Sequence, residues 1–299
     1  MKKLNLISVI AVGVLFLGTC FTSCSTTSAP NPNAGKTDPS TIATADLVAY
    51  FPFNGNGNDS ISGMKPITNP GVTYVTAKRK SGYQGARGAY FLYNLPAGSK
   101  LRTLQAFAVS MWINEPQVPN DSAPVPMIMQ IKNDSDLFWG NLTLTQDRMG
   151  TVAAPVDSLN LKAVFHSQTA VWQNQFINFP NPAIQASRWI HLVYEYDNIT
   201  SMFSVFVNGV QLTLPIGTSM RYADAAPATG VQPPFGNMVF NHPDQLVFGG
   251  WLPKIQAGAT DTWMGWFLGT MDELRIYDRA LTPTEVTALY TAEVTEMNP

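Results

Sequence analysis

The sequence predicts an all-β sandwich of two antiparallel sheets, with one short helical turn near its C-terminus. Short apolar segments of strand length recur between residues 47 and 277, and Gly, Pro, Asn and Asp separate them. Glycine and proline number 22 each in 299 residues, which suits many turns and argues against a helical bundle. A hydrophobic content of 45% is enough to bury a sizeable core.

The individual elements follow from the residue pattern. Asn208-Gly209 ends one apolar segment and is a signal for a hairpin turn. Thr282, Pro283 and Glu285 can cap a helical turn over 282–290. The segments that predict strands are 47–53, 89–92, 107–113, 127–131, 142–145, 161–165, 189–196, 203–208, 246–248 and 271–277.

Residues 1–23 read as a lipoprotein signal peptide. Two lysines precede an apolar run over 4–17, which is shorter than the roughly 20 residues that span a membrane. Both cysteines of the chain, Cys20 and Cys24, lie at the end of this segment. The sequence around Ser23-Cys24 resembles a lipobox, in which the cysteine after a small residue is acylated. We expect lipidation at Cys24, with Cys20 or an ordinary signal peptide as the alternatives.

This beginning predicts an exported protein in the cell envelope of a Gram-negative bacterium. It would be an outer-membrane lipoprotein, facing either the periplasm or the cell surface, with the N-terminal lipid as its only membrane contact. Residues 24–44 predict a flexible tether, because Ile42 is their one large apolar residue. The sandwich is expected over 45–293 and a tail over 294–299.

Five segments, in order, resemble the laminin-G-like, concanavalin A-like lectin and glucanase superfamily. They are 46–60 (DLVAYFPFNGNGNDS), 107–113 (FAVSMWI), 189–209 (WIHLVYEYD followed by FSVFVNG), 246–250 (LVFGG) and 267–282 (FLGTMDELRIYDRALT). The resemblance covers about 45–292 and implies a concanavalin A-like jelly-roll β-sandwich whose first and last strands are neighbours. It is not specific for function, since this sandwich hosts many activities.

The sequence lacks a complete catalytic carboxylate motif. Related β-glucanases carry Glu, Asp and a second Glu on one face of a strand. Glu195 and Asp197 are the nearest match, but no second Glu follows, and we interpret Glu195 as a solvent-facing strand residue. Asp272 and Glu273 are adjacent and are expected to face opposite sides of a strand. We therefore expect no enzyme, with a polysaccharide hydrolase or lyase as the least favoured alternative.

A structural calcium ion is the one cofactor that the resemblance implies. The loop over 54–59 is rich in oxygen ligands, which hard cations prefer. In many relatives a calcium ion bridges this loop and the last strand, and we carry that role over to Asp59 and Asp272 only. The alternative is that both carboxylates accept hydrogen bonds from turn amides.

Aromatic residues in loops are the candidates for ligand binding. Sugar C–H faces pack on rings, and sugar hydroxyls need directed polar partners. The stretch 166–179 mixes aromatic and amide side chains, and the insertion 214–245 carries more of both. Loops of this length are usually functional or disordered, and the prolines of the insertion favour an ordered excursion. The residues we select as ligand-binding are Trp139, Trp172, Phe176, Trp251 and Tyr222.

Charge and composition limit the classes of function that the sequence can support. Only 13% of the residues are charged and the net charge is −2, so nucleic acid is not an expected partner. The favoured hypothesis is a lipid-anchored module that binds carbohydrate, on a cell surface or from the diet, without turnover. The alternative is a protein-interaction or structural lipoprotein of the envelope. The expected partner is accordingly a glycan or an envelope protein.

Overall fold

A computed structural model describes residues 38–118, 123–148, 155 and 157–295 of the chain. The signal peptide, Cys24 and most of the predicted tether lie outside the described residues. Among the residues that it describes, no helix has the length and apolar character to cross a membrane.

Fifteen strands and three short helices are found in this part of the chain. The strands are β1 (Leu47–Phe51), β2 (Thr73–Thr76), β3 (Ser81–Gln84), β4 (Phe91–Asn94), β5 (Phe107–Asn114), β6 (Val125–Ile131), β7 (Leu142–Gln146), β8 (Leu161–His166), β9 (Asn174–Asn178), β10 (Ile190–Asp197), β11 (Met202–Val207), β12 (Val210–Gln211), β13 (Gln245–Phe248), β14 (Met264–Trp266) and β15 (Thr270–Tyr277). The helices are α1 (Ile216–Ser219), α2 (Leu252–Gln256) and α3 (Pro283–Thr295).

The strands form two sheets that pack face to face as a jelly-roll sandwich. The first sheet has the order β12-β11-β10-β5-β15-β3-β2, and β1 also pairs with β15. The second sheet has the order β4-β13-β6-β7-β8-β9, and β14 pairs with β6 in parallel. The all-β sandwich predicted from the sequence is therefore confirmed, with one parallel strand pair added to its antiparallel sheets.

The first and last strands are neighbours, as the sequence predicts. Strand β1 runs antiparallel to β15, with Phe51 opposite Leu274. A β-bulge interrupts β15 between Asp272 and Arg275, and Glu273 takes a φ of 53° there. The bulge breaks the alternation of side chains. Asp272 and Glu273 consequently do not follow the simple opposite-face expectation, and both carboxylates are buried.

Aromatic rings from both sheets form the centre of the core. Phe51 of β1 lies edge-on to Phe248 of β13, with ring centroids 4.9 Å apart. Phe53 contacts Phe91 at 5.6 Å, and Tyr93 contacts Phe248 at 5.7 Å. Because edge-to-face and offset contacts of this kind join the two sheets, their inner faces share one continuous core.

The C-terminal helix is longer than the sequence predicts. Its start matches the prediction, since Glu285 Oε2 accepts from the Thr282 amide at 2.8 Å and Thr282 Oγ1 accepts from the Glu285 amide at 3.2 Å. The helix then continues beyond residue 290 to Thr295. Its last turn is held by tertiary contacts, because Glu293 accepts from the indole of Trp112 at 2.7 Å and from Arg275.

The folded region begins earlier than residue 45. Residues 39–41 and 44–46 form two 3-10 turns, and the Asp38 carboxylate caps the first of them through the Ser40 amide at 2.8 Å. Ile42 is buried with Leu281 and Leu289 at the start and middle of the C-terminal segment. The part of the predicted tether from residue 38 onward is therefore packed on the sandwich.

The insertion predicted over 214–245 is ordered and covers one side of the sandwich. Phe235 is buried against Phe165 and Tyr196, with ring centroids 5.5 and 5.8 Å apart. The Tyr196 hydroxyl donates to the Gly236 carbonyl at 2.6 Å. These anchors fix the insertion against strands β8 and β10.

Candidate functional site

An open cleft of about 500 Å³ lies between strand β9 and the insertion. We call it the aromatic cleft. It is lined by Trp172, Asn174, Gln175, Phe176, Ile216, Gly217, Met220, Arg221, Tyr222, Ala225 and Gln232. Three of the residues selected from the sequence, Trp172, Phe176 and Tyr222, line this cleft, and their role in ligand binding stays a prediction.

One wall of the cleft carries two exposed aromatic rings. Trp172, in the turn before β9, is 52% exposed, and Phe176 within β9 is 48% exposed. In β9 the side chains alternate, so that Gln175 and Ile177 are buried while Phe176 faces outward. Two exposed rings that line the same cleft leave apolar surface in contact with water, which is typical of a binding surface.

The insertion builds the opposite wall. Tyr222 forms a bridge to Pro234, and the Ala223 amide donates to the Pro233 carbonyl at 3.0 Å, so that two stretches of the insertion run together. Helix α1 extends this wall with Ile216, which is largely exposed. The Arg221 amide donates to the Ser201 carbonyl at 2.9 Å and attaches the wall to the end of β10 and the start of β11.

A buried glutamine joins the two walls. Gln175 Nε2 donates to the Trp172 carbonyl at 3.1 Å and to the Tyr222 carbonyl at 3.2 Å. The Trp172 amide also donates to the Ala223 carbonyl at 2.8 Å. Because these bonds cross from one wall to the other, they hold the aromatic rings in position before any ligand arrives.

The polar groups of the cleft are also held in fixed orientations. Asn174 Nδ2 donates to Asp136 at 2.9 Å, and Asn174 Oδ1 pairs with His166 Nδ1 at 2.7 Å. Gln232 Nε2 donates to the Ala225 carbonyl at 2.6 Å. Amides that are oriented in this way give directed partners for the hydroxyl groups of a ligand.

Arg221 is the only charged residue among those that line the cleft. One guanidinium nitrogen, Nη2, donates to the Gly217 carbonyl, and Nε is buried without a partner. Burial lowers the pKa of Arg221 from its usual range, because water is partly excluded from the cation.

Trp139, another predicted ligand residue, lies behind the cleft. It is half-buried, and its ring meets Phe176 edge-on at 5.2 Å. The Lys162 ammonium lies 5.3 Å from the centre of the same ring. Trp139 therefore contacts a cleft residue without lining the cleft.

Trp251 is a core residue, which corrects the sequence prediction that it binds ligand. Its side chain is fully buried, and Nε1 donates to the Val125 carbonyl at 2.7 Å. The ring packs against Trp263 at 4.9 Å and against Trp139 at 5.9 Å. Val125, Met127 and Met264 belong to the same buried cluster, and the sequence pattern alone does not reveal these contacts.

The two acids expected to hold calcium lie in different hydrogen-bond networks. Asp59 Oδ1 accepts from the amides of Tyr50 at 2.8 Å and Ile61 at 3.0 Å, and Oδ2 accepts from the amide and hydroxyl of Ser62. Asp272 Oδ2 accepts from the Arg79 amide at 2.8 Å.

This arrangement does not fit the calcium site implied by the resemblance. The oxygens of Asp59 face N–H and O–H donors instead of the additional oxygens that calcium requires. Within the described ranges, no group of three or more His, Cys, Asp and Glu side chains is placed to hold a metal ion. Both carboxylates accept from amides, while Asp272 Oδ1 is buried without a hydrogen-bond partner, and the calcium site stays a prediction.

Glu195 is buried, in contrast to its interpretation as a solvent-facing residue. It is 5% exposed, and its Oε2 accepts from the Leu281 amide at 2.9 Å. Burial raises the pKa of Glu195 to about 8. The segment that leads into α3 covers this side chain, which is why strand alternation alone placed it wrongly.

A second cavity, of about 390 Å³, lies apart from the aromatic cleft. Most of its lining is apolar, including Pro126, Met264 and Leu268, and Trp266 lies on one side. It contains none of the predicted ligand residues. Trp266 is the only aromatic ring among the described residues of its lining, whereas the aromatic cleft presents the two exposed rings of Trp172 and Phe176.

Eight of the eleven residues that line the aromatic cleft were missed in the choice of ligand residues, and Arg221, Ile216 and Gln232 are three of them. Arg221 is adjacent to the predicted Tyr222, and Ile216 and Gln232 belong to the same insertion. The neighbouring position of Arg221 was the available signal. The folding of the insertion determines which of its residues face β9. The sequence of the insertion has no periodic pattern that would predict these residues.

No protein-family model and no curated protein matches this sequence. Solved structures do match its fold. The receptor-binding domain of botulinum neurotoxin type G has a TM-score of 0.54 and 13% identity, covering 82% of this chain and 51% of that one. The binding domain of botulinum neurotoxin DC, in complex with rat synaptotagmin II, has a TM-score of 0.56 and 10% identity, covering 85% and 52%.

A third match carries a bound sugar. It is the ligand-binding domain of botulinum neurotoxin serotype D in complex with N-acetylneuraminic acid, with a TM-score of 0.55 and 12% identity over 85% of this chain and 52% of that one. This chain spans about half the length of the structures that it matches. At such identities the likeness establishes the sandwich fold alone.

Proposed function

We propose that the protein is a carbohydrate-binding module that holds a glycan in the aromatic cleft without chemical turnover. The observation that carries this proposal is the pair of exposed rings, Trp172 and Phe176, beside oriented amides in one cleft of about 500 Å³. Rings accept the C–H faces of sugars, and the fixed amides of Asn174 and Gln232 serve the hydroxyls. A cleft of this volume suits a short oligosaccharide segment.

The preformed geometry of the cleft also supports the proposal. Gln175 bridges both walls, so a ligand need not order them on binding. Among the proteins with the same fold, one was solved with N-acetylneuraminic acid. That sugar belongs to the neighbour, and it adds support for a glycan ligand only at the level of the fold.

Protein recognition is the second candidate function. One neighbour of the same fold was solved in complex with synaptotagmin II. The largely exposed Ile216 and Trp172 could also dock a peptide side chain. The oriented amides at the cleft favour the glycan, since a peptide would use apolar contact and main-chain bonds first.

Glycan binding is tested with one variant and its immediate neighbour as control. The full-length protein is screened on a glycan array, and hits are measured by titration calorimetry. Trp172→Ala should weaken binding at least tenfold, about 1.4 kcal/mol, because the ring contact is removed. Val171→Ala is the control, since Val171 is the adjacent exposed residue and does not line the cleft.

Two outcomes would contradict the proposal. One is an array on which no glycan binds while a peptide library gives a specific ligand. The other is glycan binding that survives the double change of Trp172 and Phe176 to Ala. Release of reducing ends from a bound polysaccharide would replace binding with hydrolysis as the function.

The proposal includes export and anchoring through a lipid on Cys24. The short apolar run, the small residue before Cys24 and the polar stretch after it support this placement. In bacterial cells, Cys24→Ser should move the protein from the membrane fraction to the soluble fraction. Cys20→Ser should leave it in the membrane fraction. The reverse result would place the anchor on Cys20.

A further inference from the structure

The aromatic cleft has a cation without a counter-ion. Arg221 is its only charged lining residue, and the titratable neighbours that act on it are the tyrosines Tyr222 and Tyr196, with no carboxylate of the described residues among them. Its Nη2 is held by the Gly217 carbonyl, and its Nε is buried without a partner. A partly desolvated charge that lacks an opposite charge is costly, unless a ligand supplies one.

The carboxylates near the two walls are occupied by other donors. Asp224 accepts from the Ala226 amide at 2.9 Å, and Asp136 accepts from Asn174 at 2.9 Å. Asp197 accepts from the Ile199 amide at 2.9 Å and from the Thr200 hydroxyl at 2.7 Å. These carboxylates accept hydrogen bonds from turn amides and from other side chains. None of them pairs with Arg221, so its positive charge is available to a ligand in the cleft.

We propose that the aromatic cleft selects an anionic saccharide, whose carboxylate or sulfate pairs with Arg221. The proposal rests on the carbohydrate-binding function and names the class of sugar. A guanidinium presents two parallel N–H donors that match the paired oxygens of a carboxylate or sulfate. Since the remaining lining is neutral, this one cation distinguishes acidic from neutral sugars.

The rings and the cation have separable roles. Trp172 and Phe176 contact the faces of any sugar ring, acidic or neutral, and supply affinity. Arg221 adds attraction only for an anion, and this attraction falls as salt screens the charges. Removing the ring therefore weakens all glycans, whereas removing the charge weakens only the acidic ones.

Matched glycan pairs test the proposal. With the full-length protein, dissociation constants are measured for 3′-sialyllactose against lactose, for trigalacturonate against its methyl ester, and for sulfated lactose against lactose. We expect the acidic member of at least one pair to bind ten times more tightly or better. The pairs distinguish the two anions, since the first two carry carboxylates and the third carries sulfate.

Three variants locate the effect. Arg221→Gln should bring the acidic and neutral affinities within about twofold of each other, while Arg221→Lys should keep part of the preference because it keeps the charge. Lys65→Gln is the control, since Lys65 is exposed and does not line the cleft. It should leave the ratio of the two affinities unchanged.

The two proposals fail in different ways. If glycans bind and Trp172→Ala abolishes binding, but acidic and neutral members bind equally to the parent protein, the anion proposal is overturned and the binding module stands. If no saccharide of either kind binds, both are overturned. If Arg221→Gln lowers the melting temperature sharply, the variant cannot be used for binding. The ratio of acidic to neutral affinity is then measured on the parent protein at increasing salt concentration. An acidic-to-neutral ratio that is insensitive to salt then refutes the role of charge.

Discussion

The indole of Trp139 meets the ring of Phe176 edge-on, with centroids 5.2 Å apart and planes at 85°. On its other side Trp139 contacts the fully buried Trp251 at 5.9 Å and 73°. A row of three aromatic side chains thus runs from the core to the cleft. The exposed ring of Phe176 rests on a rigid support, which limits the entropy lost when a ligand binds it.

Trp139 should affect binding without touching the ligand. Trp139→Ala removes the support of Phe176 and should weaken glycan binding severalfold, since the ring gains freedom that binding must remove. Trp139→Phe keeps an aromatic contact and should restore most of the affinity. Calorimetry at a temperature below unfolding measures both variants. Equal affinities of the Ala variant and the parent protein would show that Phe176 needs no support.

Trp251 should affect stability first. Trp251→Ala leaves a large cavity and the Val125 carbonyl without its donor, so the free energy of unfolding should fall by about 3–5 kcal/mol. Trp251→Phe fills most of the space and should cost less. Urea denaturation followed by tryptophan fluorescence measures the difference. A loss below about 1 kcal/mol in the Ala variant would contradict the core role.

Gln175 should couple stability to binding. Gln175→Ala leaves the carbonyls of Trp172 and Tyr222 without their shared donor, at a cost of about 1–3 kcal/mol in the free energy of unfolding. The walls also lose their link, so glycan affinity should fall severalfold. Gln173→Ala is the matched control, because Gln173 is exposed and makes a single long bond of 3.3 Å to Gln168. Full affinity in the Gln175 variant would show that the other bonds alone fix the cleft.

Stability should fall as the pH rises from 5 to 8. Burial raises the pKa of Glu195 to about 8 from an ordinary value of 4.5. Between pH 4.5 and pH 8 the Glu195 carboxyl keeps its proton in the folded protein and releases it in the unfolded chain. Its contribution to the free energy of unfolding is therefore complete below pH 4.5 and is lost as the pH rises to 8. Burial also raises the pKa of Asp272 to about 8 and of Glu293 to about 7, which adds to the same trend. Burial lowers the pKa of His191 from 6.5 to about 3, which opposes the trend below pH 6.5, but the three acids outweigh this one group.

Replacing Glu195 should reduce this pH dependence. Glu195→Gln removes one titrating group and keeps an oxygen for the Leu281 amide, so the melting temperature should fall less between pH 5 and 8. Part of the slope should remain because Asp272 and Glu293 still titrate. Melting curves at several pH values measure it. A slope that is steeper than that of the parent protein would contradict the assignment.

Asp59 should stabilise the first loop. Asp59→Ala removes the acceptor for three backbone amides and should lower the free energy of unfolding by about 1–3 kcal/mol. The same loss should appear in buffer with EDTA, because these bonds need no metal. Calcium binding at Asp59 and Asp272, as the family resemblance implies, would give a different response of the melting temperature to EDTA. EDTA would then lower the melting temperature of the parent protein and have no effect on Asp272→Ala.

The strands were predictable where apolar residues alternate with polar ones or run continuously. Segments such as 107–113 and 271–277 are within a residue of the observed β5 and β15. Strands β2, β3 and β9 were not predicted, since they are four or five residues long and carry polar residues at most positions. Pairing, not their own pattern, makes them strands, since β3 pairs with β15, β2 pairs with β3, and β9 pairs with β8.

The sequence indicated aromatic residues of the candidate site, but it did not indicate which residues form the walls of the cleft. Trp172, Phe176 and Tyr222 were selected because rings among amides suit sugars, and they do meet in one cleft. Trp251 looked the same in the sequence, yet packing on Trp263 buries it. Trp251 is covered by residues distant in the sequence, such as Val125 and Met127, and the local pattern around a ring does not predict contacts of this kind.

The adjacency of Phe51 and Leu274 has a consequence for how the chain is made. Among the described strands β1 pairs with β15 alone, so residues 270–277 must be present before the opening strand can pair. Until then the backbone N–H and C=O groups of β1 stay unpaired, and such an open edge is vulnerable to association with other chains. A nascent chain that stops before residue 270 should be a target for chaperones or proteases, whereas one that ends after Tyr277 can already close its sheet.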